Sequence, residues 1–221
     1  RHLYNLSNKK EPSVFELGCG YGEYLDIFKK LNFSTHGIEY SKRASQICLD
    51  KKHNVYNDFL NSKKSLEKIH DVFDFVVSFQ YIEHLPNPKK TLTLLSNFLS
   101  DKSYALLEVP NFDMINKYRL FNEFIPDHLS YFTKKSFELL IEISGFEIVE
   151  TKTCWSDYII SVLAKKRKII SWDGYENKRQ KLKVQIINFI EQSKYNEVAI
   201  WSAGHQSLAT ISNLEIYKKV A

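Results

Sequence analysis

Apolar residues in the first half of the chain come in short runs, separated by stretches in which they recur every third or fourth position. Val14, Phe15 and Leu17 predict a buried strand over 13–17, after which Leu25, Phe28 and Leu31 share one stripe of a helix over 21–31. The reading continues with a strand at 35–39, a helix at 41–51 opened by Ser41 as its cap, a short strand at 54–56 and a β-branched and aromatic strand at 73–79. A helix with Pro88 in its first turn follows over 88–99, then a strand over 104–109 that Pro110 ends.

After Pro110 the pattern breaks into an irregular aromatic stretch, 111–133, long enough to serve as a lid or substrate loop. A helix over 134–144, stopped by Gly145, and strands over 146–153 and 158–164 complete the series. Strands alternating with helices predict an α/β fold: a doubly wound, mostly parallel seven-stranded sheet with helices on both faces, occupying residues 1–165. Residues 166–221 read as an extension: an amphipathic helix over 177–192 with Leu182, Ile186, Phe189 and Ile190 on one stripe, then a strand over 197–201 that begins a second βα unit.

At 221 residues, 43% hydrophobic and 14% aromatic, the chain can bury a substantial core, which excludes general disorder. Its longest uncharged apolar runs, 75–79 and 159–164, fall far below the roughly 20 residues of a membrane span. No signal peptide opens the chain, so a cytoplasmic protein without a membrane partner is expected. Cys19, Cys48 and Cys154 are far apart, which predicts free thiols and no metal site. The net charge of +5 is spread along the chain except at 165–168 and 178–183, which flank the late helix. A solvated helix face accounts for them, so nucleic acid is not an expected partner; the oligomeric state stays open.

Glycine changes the picture from fold to chemistry. Of only seven, Gly18, Gly20 and Gly22 fall within five residues directly after the first strand, where backbone must turn tightly or approach a ligand. Dinucleotide-binding turns use G-x-G-x-x-G, whereas the third glycine here comes one residue early, and Glu16 stands two residues before Gly18. A carboxylate in that place suits a ligand carrying an ammonium and a sulfonium and would repel a pyrophosphate, which disfavours a nicotinamide oxidoreductase. The stretch Val14-Phe15-Glu16-Leu17-Gly18-Cys19-Gly20-Tyr21-Gly22 resembles the first motif of class I S-adenosylmethionine-dependent methyltransferases, which have a Rossmann-like fold. Three later positions agree with that resemblance. Glu39, in Gly37-Ile38-Glu39-Tyr40-Ser41, ends the second strand where an acid can accept hydrogen bonds from both ribose hydroxyls. Asn57, Asp58 and Phe59 match the positions that hold the adenine, and Phe79 and Gln80 open the segment Phe79-Gln80-Tyr81-Ile82-Glu83-His84 that resembles the lining of the methyl-donor end. The cofactor so implied is S-adenosylmethionine.

For the acceptor, His128 beside Asp127 in the long loop is the first candidate to remove a proton, with His84 next; His128 also reads as a capping or packing residue that orders the loop, and Glu83 and His84 read more readily as a pair that shapes the cofactor pocket without proton transfer. The block Pro126-Asp127-His128-Leu129-Ser130-Tyr131-Phe132-Thr133 resembles a segment of methyltransferases acting on nucleotide-linked sugars, including sugar C-methyltransferases. Ile125 and Asp127 stand where the C-methyltransferases carry a tyrosine and a glutamate. The stretch 198–207 resembles the opening of their C-terminal domain. The implied function is methylation of a small polar metabolite, a sugar nucleotide or another surface-polysaccharide intermediate. RNA or protein methylation, and a cofactor-binding scaffold without activity, are the alternatives.

Overall fold

The computed structural model describes residues 6–7, 9–67, 69, 71–168, 173–194, 199 and 204–215. They belong to two compact units, Arg1–Lys168 and Ile169–Ala221. The first is built on seven strands, β1 (Ser13–Leu17), β2 (Ser34–Glu39), β3 (Asn54–Asn57), β4 (Phe73–Phe79), β5 (Leu99–Pro110), β6 (Phe146–Cys154) and β7 (Ile159–Lys166). They stand in the order β3-β2-β1-β4-β5-β7-β6. All neighbours from β3 to β5 are parallel, while β7 runs antiparallel to both β5 and β6. The order reverses direction at β1, and in such sheets ligands settle beyond the carboxyl ends of the strands at the reversal.

Both faces of the central strands are covered, which is why β1 and β4 read as nearly unbroken apolar runs. Phe15, Leu17 and Val76 pack into a large cluster with Leu92 and Leu95 of helix α4 (Pro88–Leu95) and Phe137 and Ile141 of α6 (Lys134–Ile143). Val14, Phe75 and Val77 point the other way, into a smaller cluster with Phe28 of α1 (Glu23–Lys30). α2 (Lys42–Asp50) begins at Ser41, whose hydroxyl accepts from the Ala44 N–H. His53, buried between α1 and β2, meets Thr35 Oγ1 at 2.8 Å and Asp26 Oδ1 at 2.9 Å. That pins the helix that follows the glycine turn.

Several boundaries differ from the sequence reading. The stretch 111–133 is not irregular throughout: α5 (Phe112–Tyr118) starts where Asn111 Oδ1 accepts from Asp113 N, and a 3-10 turn covers Phe121–Glu123. Ile115, fully buried, anchors α5, and Arg119 ends it in a left-handed conformation. The helix expected over 88–99 stops at Leu95; a 3-10 turn covers Ser96–Phe98, and β5 begins at Leu99, because Phe98 and Leu99 both turn into the core. A short helix α3 (Lys63–Leu66) had no periodic signal. In the second unit α7 (Asp173–Glu191) and α8 (His205–Leu214) are helical, but the stripe expected on α7 is not buried, Phe189 being 74% exposed. The strand expected at 197–201 lies outside the described residues except for Ala199. Among the described residues no helix is long and apolar enough to cross a membrane.

Phe15 is fully buried, with ring centroids 5.0 Å from Phe73 and 4.9 Å from Phe98. Phe15→Ala should lower stability by about 3–5 kcal/mol, measured by urea unfolding of the purified chain.

Candidate active site

The turn after β1 is made by three left-handed glycines, Gly18 (φ 71°), Gly20 (φ 51°) and Gly22 (φ 79°), which let it double back before α1 starts. The Gly18 N–H donates to Ile38 O at 3.0 Å, tying the turn to the end of β2. The Gly20 N–H donates to Glu39 Oε2 at 3.0 Å, and the Ser41 N–H donates to Glu39 Oε1 at 2.8 Å. Each carboxylate oxygen of Glu39 is therefore oriented by one backbone donor and keeps acceptor capacity for a ligand. Asn57 donates through Nδ2 to the carbonyls of Glu39 and Tyr40, and Tyr40, Ser41, Lys42, Asn57 and Asp58 line a cavity of about 370 Å³. Phe59 lies edge-on to the exposed Tyr40 ring at 6.4 Å, and its N–H is capped by Asp58 Oδ1.

Glu16 sits on β1 between Gly37 and Val77 of the neighbouring strands, 2% exposed. Its Oε2 accepts no hydrogen bond among the described residues. Burial, with Glu23 and Glu39 adding repulsion, raises its pKa well above the ordinary carboxylate value. Burial likewise pushes up the Cys19 and Cys48 thiols, and neither is poised as a nucleophile. At the end of β4, Phe79 packs on Tyr24 of α1 at 4.3 Å, and Gln80, in a left-handed conformation, bonds to Glu108 through its N–H and its side-chain amide.

The chain reversal at Gln80 delivers Tyr81 and Glu83, which the resemblance placed in the methyl-donor-end segment without showing what either one touches. The Tyr81 ring lies directly over Gly18, where any side chain would collide with it, and burial holds its hydroxyl at a pKa of about 12. Glu83, flanked by the buried Ile82 and Leu85, is 1% exposed, and burial is the chief cause that raises its pKa to about 7. A charged residue between two core residues was the available signal. The Glu83 carbonyl accepts from the N–H groups of Leu129 (2.9 Å) and Ser130 (3.1 Å), so the 111–133 segment is fastened over the end of β4.

That clamp brings His84, Asp127 and His128 together. The pairing differs from the one expected: Asp127 meets His84, with His84 Nδ1 2.9 Å from its carbonyl and 3.6 Å from Oδ2. His128 stands edge-on to His84 at 4.9 Å, and burial followed by His84 lowers its pKa. Tyr131 and Phe124 make a tilted ring contact at 5.1 Å in the same loop, while Phe132 is buried in the core.

The turn predicts unequal tolerance of substitution. At Gly20 a β-carbon makes only an ordinary contact, 3.9 Å from Glu23 Oε2, and only the backbone is strained, so Gly20→Ala should cost the unliganded protein about 1–2 kcal/mol. Gly18→Ala must displace the Tyr81 ring as well and should cost roughly 1–3 kcal/mol more. Urea unfolding of the two variants side by side checks the order.

Comparisons with known proteins point the same way as this geometry. An uncharacterised protein of Methanocaldococcus jannaschii is 26% identical over 159 residues; the match covers 69% of this chain and 63% of that relative's length. An S-adenosylmethionine-dependent methyltransferase of Aquifex aeolicus superposes with a TM-score of 0.57 at 18% identity, over 74% of this chain and 86% of that one. Magnesium protoporphyrin IX methyltransferase from Synechocystis, solved with S-adenosylhomocysteine bound, gives 0.60 at 13% identity over 76% and 79%. Likeness at that identity concerns the fold, which is that of the S-adenosylmethionine-dependent methyltransferases. Residues 1–151 match a family model described as a methyltransferase domain, and the chain belongs to that family.

Proposed function

We propose that the chain transfers a methyl group from S-adenosylmethionine to a small polar metabolite, a sugar nucleotide or another surface-polysaccharide intermediate. One observation carries the cofactor: two carboxylates flank the glycine turn, Glu16 buried with an oxygen that accepts no hydrogen bond among the described residues and Glu39 held by two backbone donors. Burial disfavours the charged form of Glu16; a ligand ammonium beside it would favour the carboxylate again, whereas a pyrophosphate would add to the penalty. Glu39 can accept both ribose hydroxyls while keeping its bonds to Gly20 and Ser41. Asp58 and Tyr40 border the cavity suited to the adenine end, with Phe59 edge-on to Tyr40, and Gly18, Cys19, Gly20 and Gly22 supply the close backbone approach. Phe79 and Gln80 line the other end.

Bound there, the cofactor supplies an electrophilic methyl carbon on a sulfonium. The chain's own task is to hold the acceptor in line and draw off its proton. His128, His84 and Asp127, gathered by the loop clamped to Glu83, are the groups proposed for it. The sugar-nucleotide class is supported by the resemblance of 126–133 to sugar methyltransferases. The replacement of their tyrosine by Ile125 favours no particular acceptor atom.

Glu39→Ala should weaken S-adenosylmethionine binding at least ~10-fold in titration calorimetry, since hydrogen bonds to a charged group are worth about 1.5–3 kcal/mol. An unchanged dissociation constant removes the ribose assignment. With a panel of nucleotide sugars and labelled donor, His128→Asn should lower turnover by ~10² or more while cofactor affinity stays near wild type. Cofactor binding with no sugar nucleotide methylated would overturn the substrate class and leave the cofactor reading standing.

A further inference from the structure

Glu83, His84 and His128 come from two segments far apart in the chain, yet one ligand atom from each lies within 4.8 Å of the others. Neither Glu83 oxygen accepts a hydrogen bond from another residue among those described, although the side chain is only 2% exposed. His84 is already oriented: Nδ1, 2.9 Å from the Asp127 carbonyl, can only donate there, so the lone pair is on Nε2, 4.0 Å from Glu83 Oε1. His128 makes ring contacts with His84 and Tyr131, and no hydrogen bond of its side chain is found among the described residues. A buried carboxylate without a donor, facing two imidazoles of which one has its outer nitrogen anchored, lacks a positive charge at its centre.

We propose that Glu83, His84 and His128 hold a divalent first-row transition ion at the acceptor side of the site. Two imidazoles and one carboxylate suit Zn²⁺, Mn²⁺, Fe²⁺ or Co²⁺, whereas Mg²⁺ and Ca²⁺ take oxygen ligands. Ligand atoms about 2.0–2.2 Å from a tetrahedral ion stand roughly 3.3–3.6 Å apart, so the widest gap in the cluster needs to close by roughly 1.2–1.5 Å, within reach of side-chain rotation. His84 is 30% exposed, which leaves an entry for the ion and for further ligands. The inference rests on the methyl-transfer reading for its role and replaces the imidazoles as the proton acceptor: with their lone pairs on the ion, an acceptor hydroxyl bound beside them gives up its proton more readily, and the proton passes to water at the exposed side of His84. The ligands are Glu and His brought together by folding, which is why cysteine spacing predicted no metal.

The experiment is a Co²⁺ titration of the chelator-treated chain, followed by visible absorption and calorimetry, with S-adenosylmethionine titrated into the same preparations. One equivalent should bind, and Glu83→Gln, His84→Asn and His128→Asn should each weaken it at least ~10-fold without changing cofactor affinity. In the unmutated chain, substoichiometric Mn²⁺ should broaden the ring signals of His84 and His128 and spare His36 and His53, which keeps the test open if a variant fails to fold. No binding, binding undiminished in the variants, or broadening elsewhere overturns the metal site. Loss of cofactor binding with the ion still bound would instead overturn the methyl-transfer reading.

Discussion

The carboxylate of Glu39, gripped by the N–H groups of Gly20 and Ser41, is the joint on which the cofactor side depends. It binds the glycine turn after β1 to the start of α2, so two loops that leave adjacent parallel strands become one rigid wall. The left-handed glycines are what permit the turn to reach it, and His53, wedged between α1 and β2, keeps the helix behind the turn from drifting. Glu16 then sits below the same turn in a place where only the register of β1 between β2 and β4 could keep a carboxylate. Its burial disfavours the charged form, and in the proposed complex a cationic ligand beside it would favour the carboxylate again.

The acceptor side is built by a second joint of the same kind. Gln80, with positive φ, turns the chain away from β4, and the Glu83 carbonyl then receives two N–H groups from the distant loop. Backbone bonds, independent of side-chain identity, thus set the distance between His84 and His128. Side chains decide only what that distance is used for: a tautomer fixed by the Asp127 carbonyl, and a buried carboxylate left without a donor. The two joints lie after β1 and after β4, the neighbouring strands on either side of the sheet's reversal.

Legibility in the sequence followed how local each cause is. Strand and helix periods, the Ser41 cap, Pro88 in a first turn and Gly145 after α6 are written in neighbouring residues, and they place most elements of the first unit. The glycine spacing with Glu16 and Glu39 carried the expectation of the cofactor, since charge and left-handed backbone are properties of those residues themselves. Less legible was 111–133, because α5 is held by the burial of Ile115 and the capping of Asn111 and not by a long periodic stripe. The early start of β5 at Leu99 likewise reflects the core's demand for Phe98 and Leu99.

By itself the sequence determined the α/β alternation, the glycine turn and the sign of the charges around it, since these depend on residue type and near spacing. Only the tertiary structure decided that Asp127 pairs with His84 and not with its neighbour His128, that Tyr81 covers Gly18, and that Glu83 is a buried anion facing two imidazoles. Those facts depend on which distant backbone groups meet after β4, and burial, the quantity that gives a carboxylate its chemistry, exists only once the chain has closed around it.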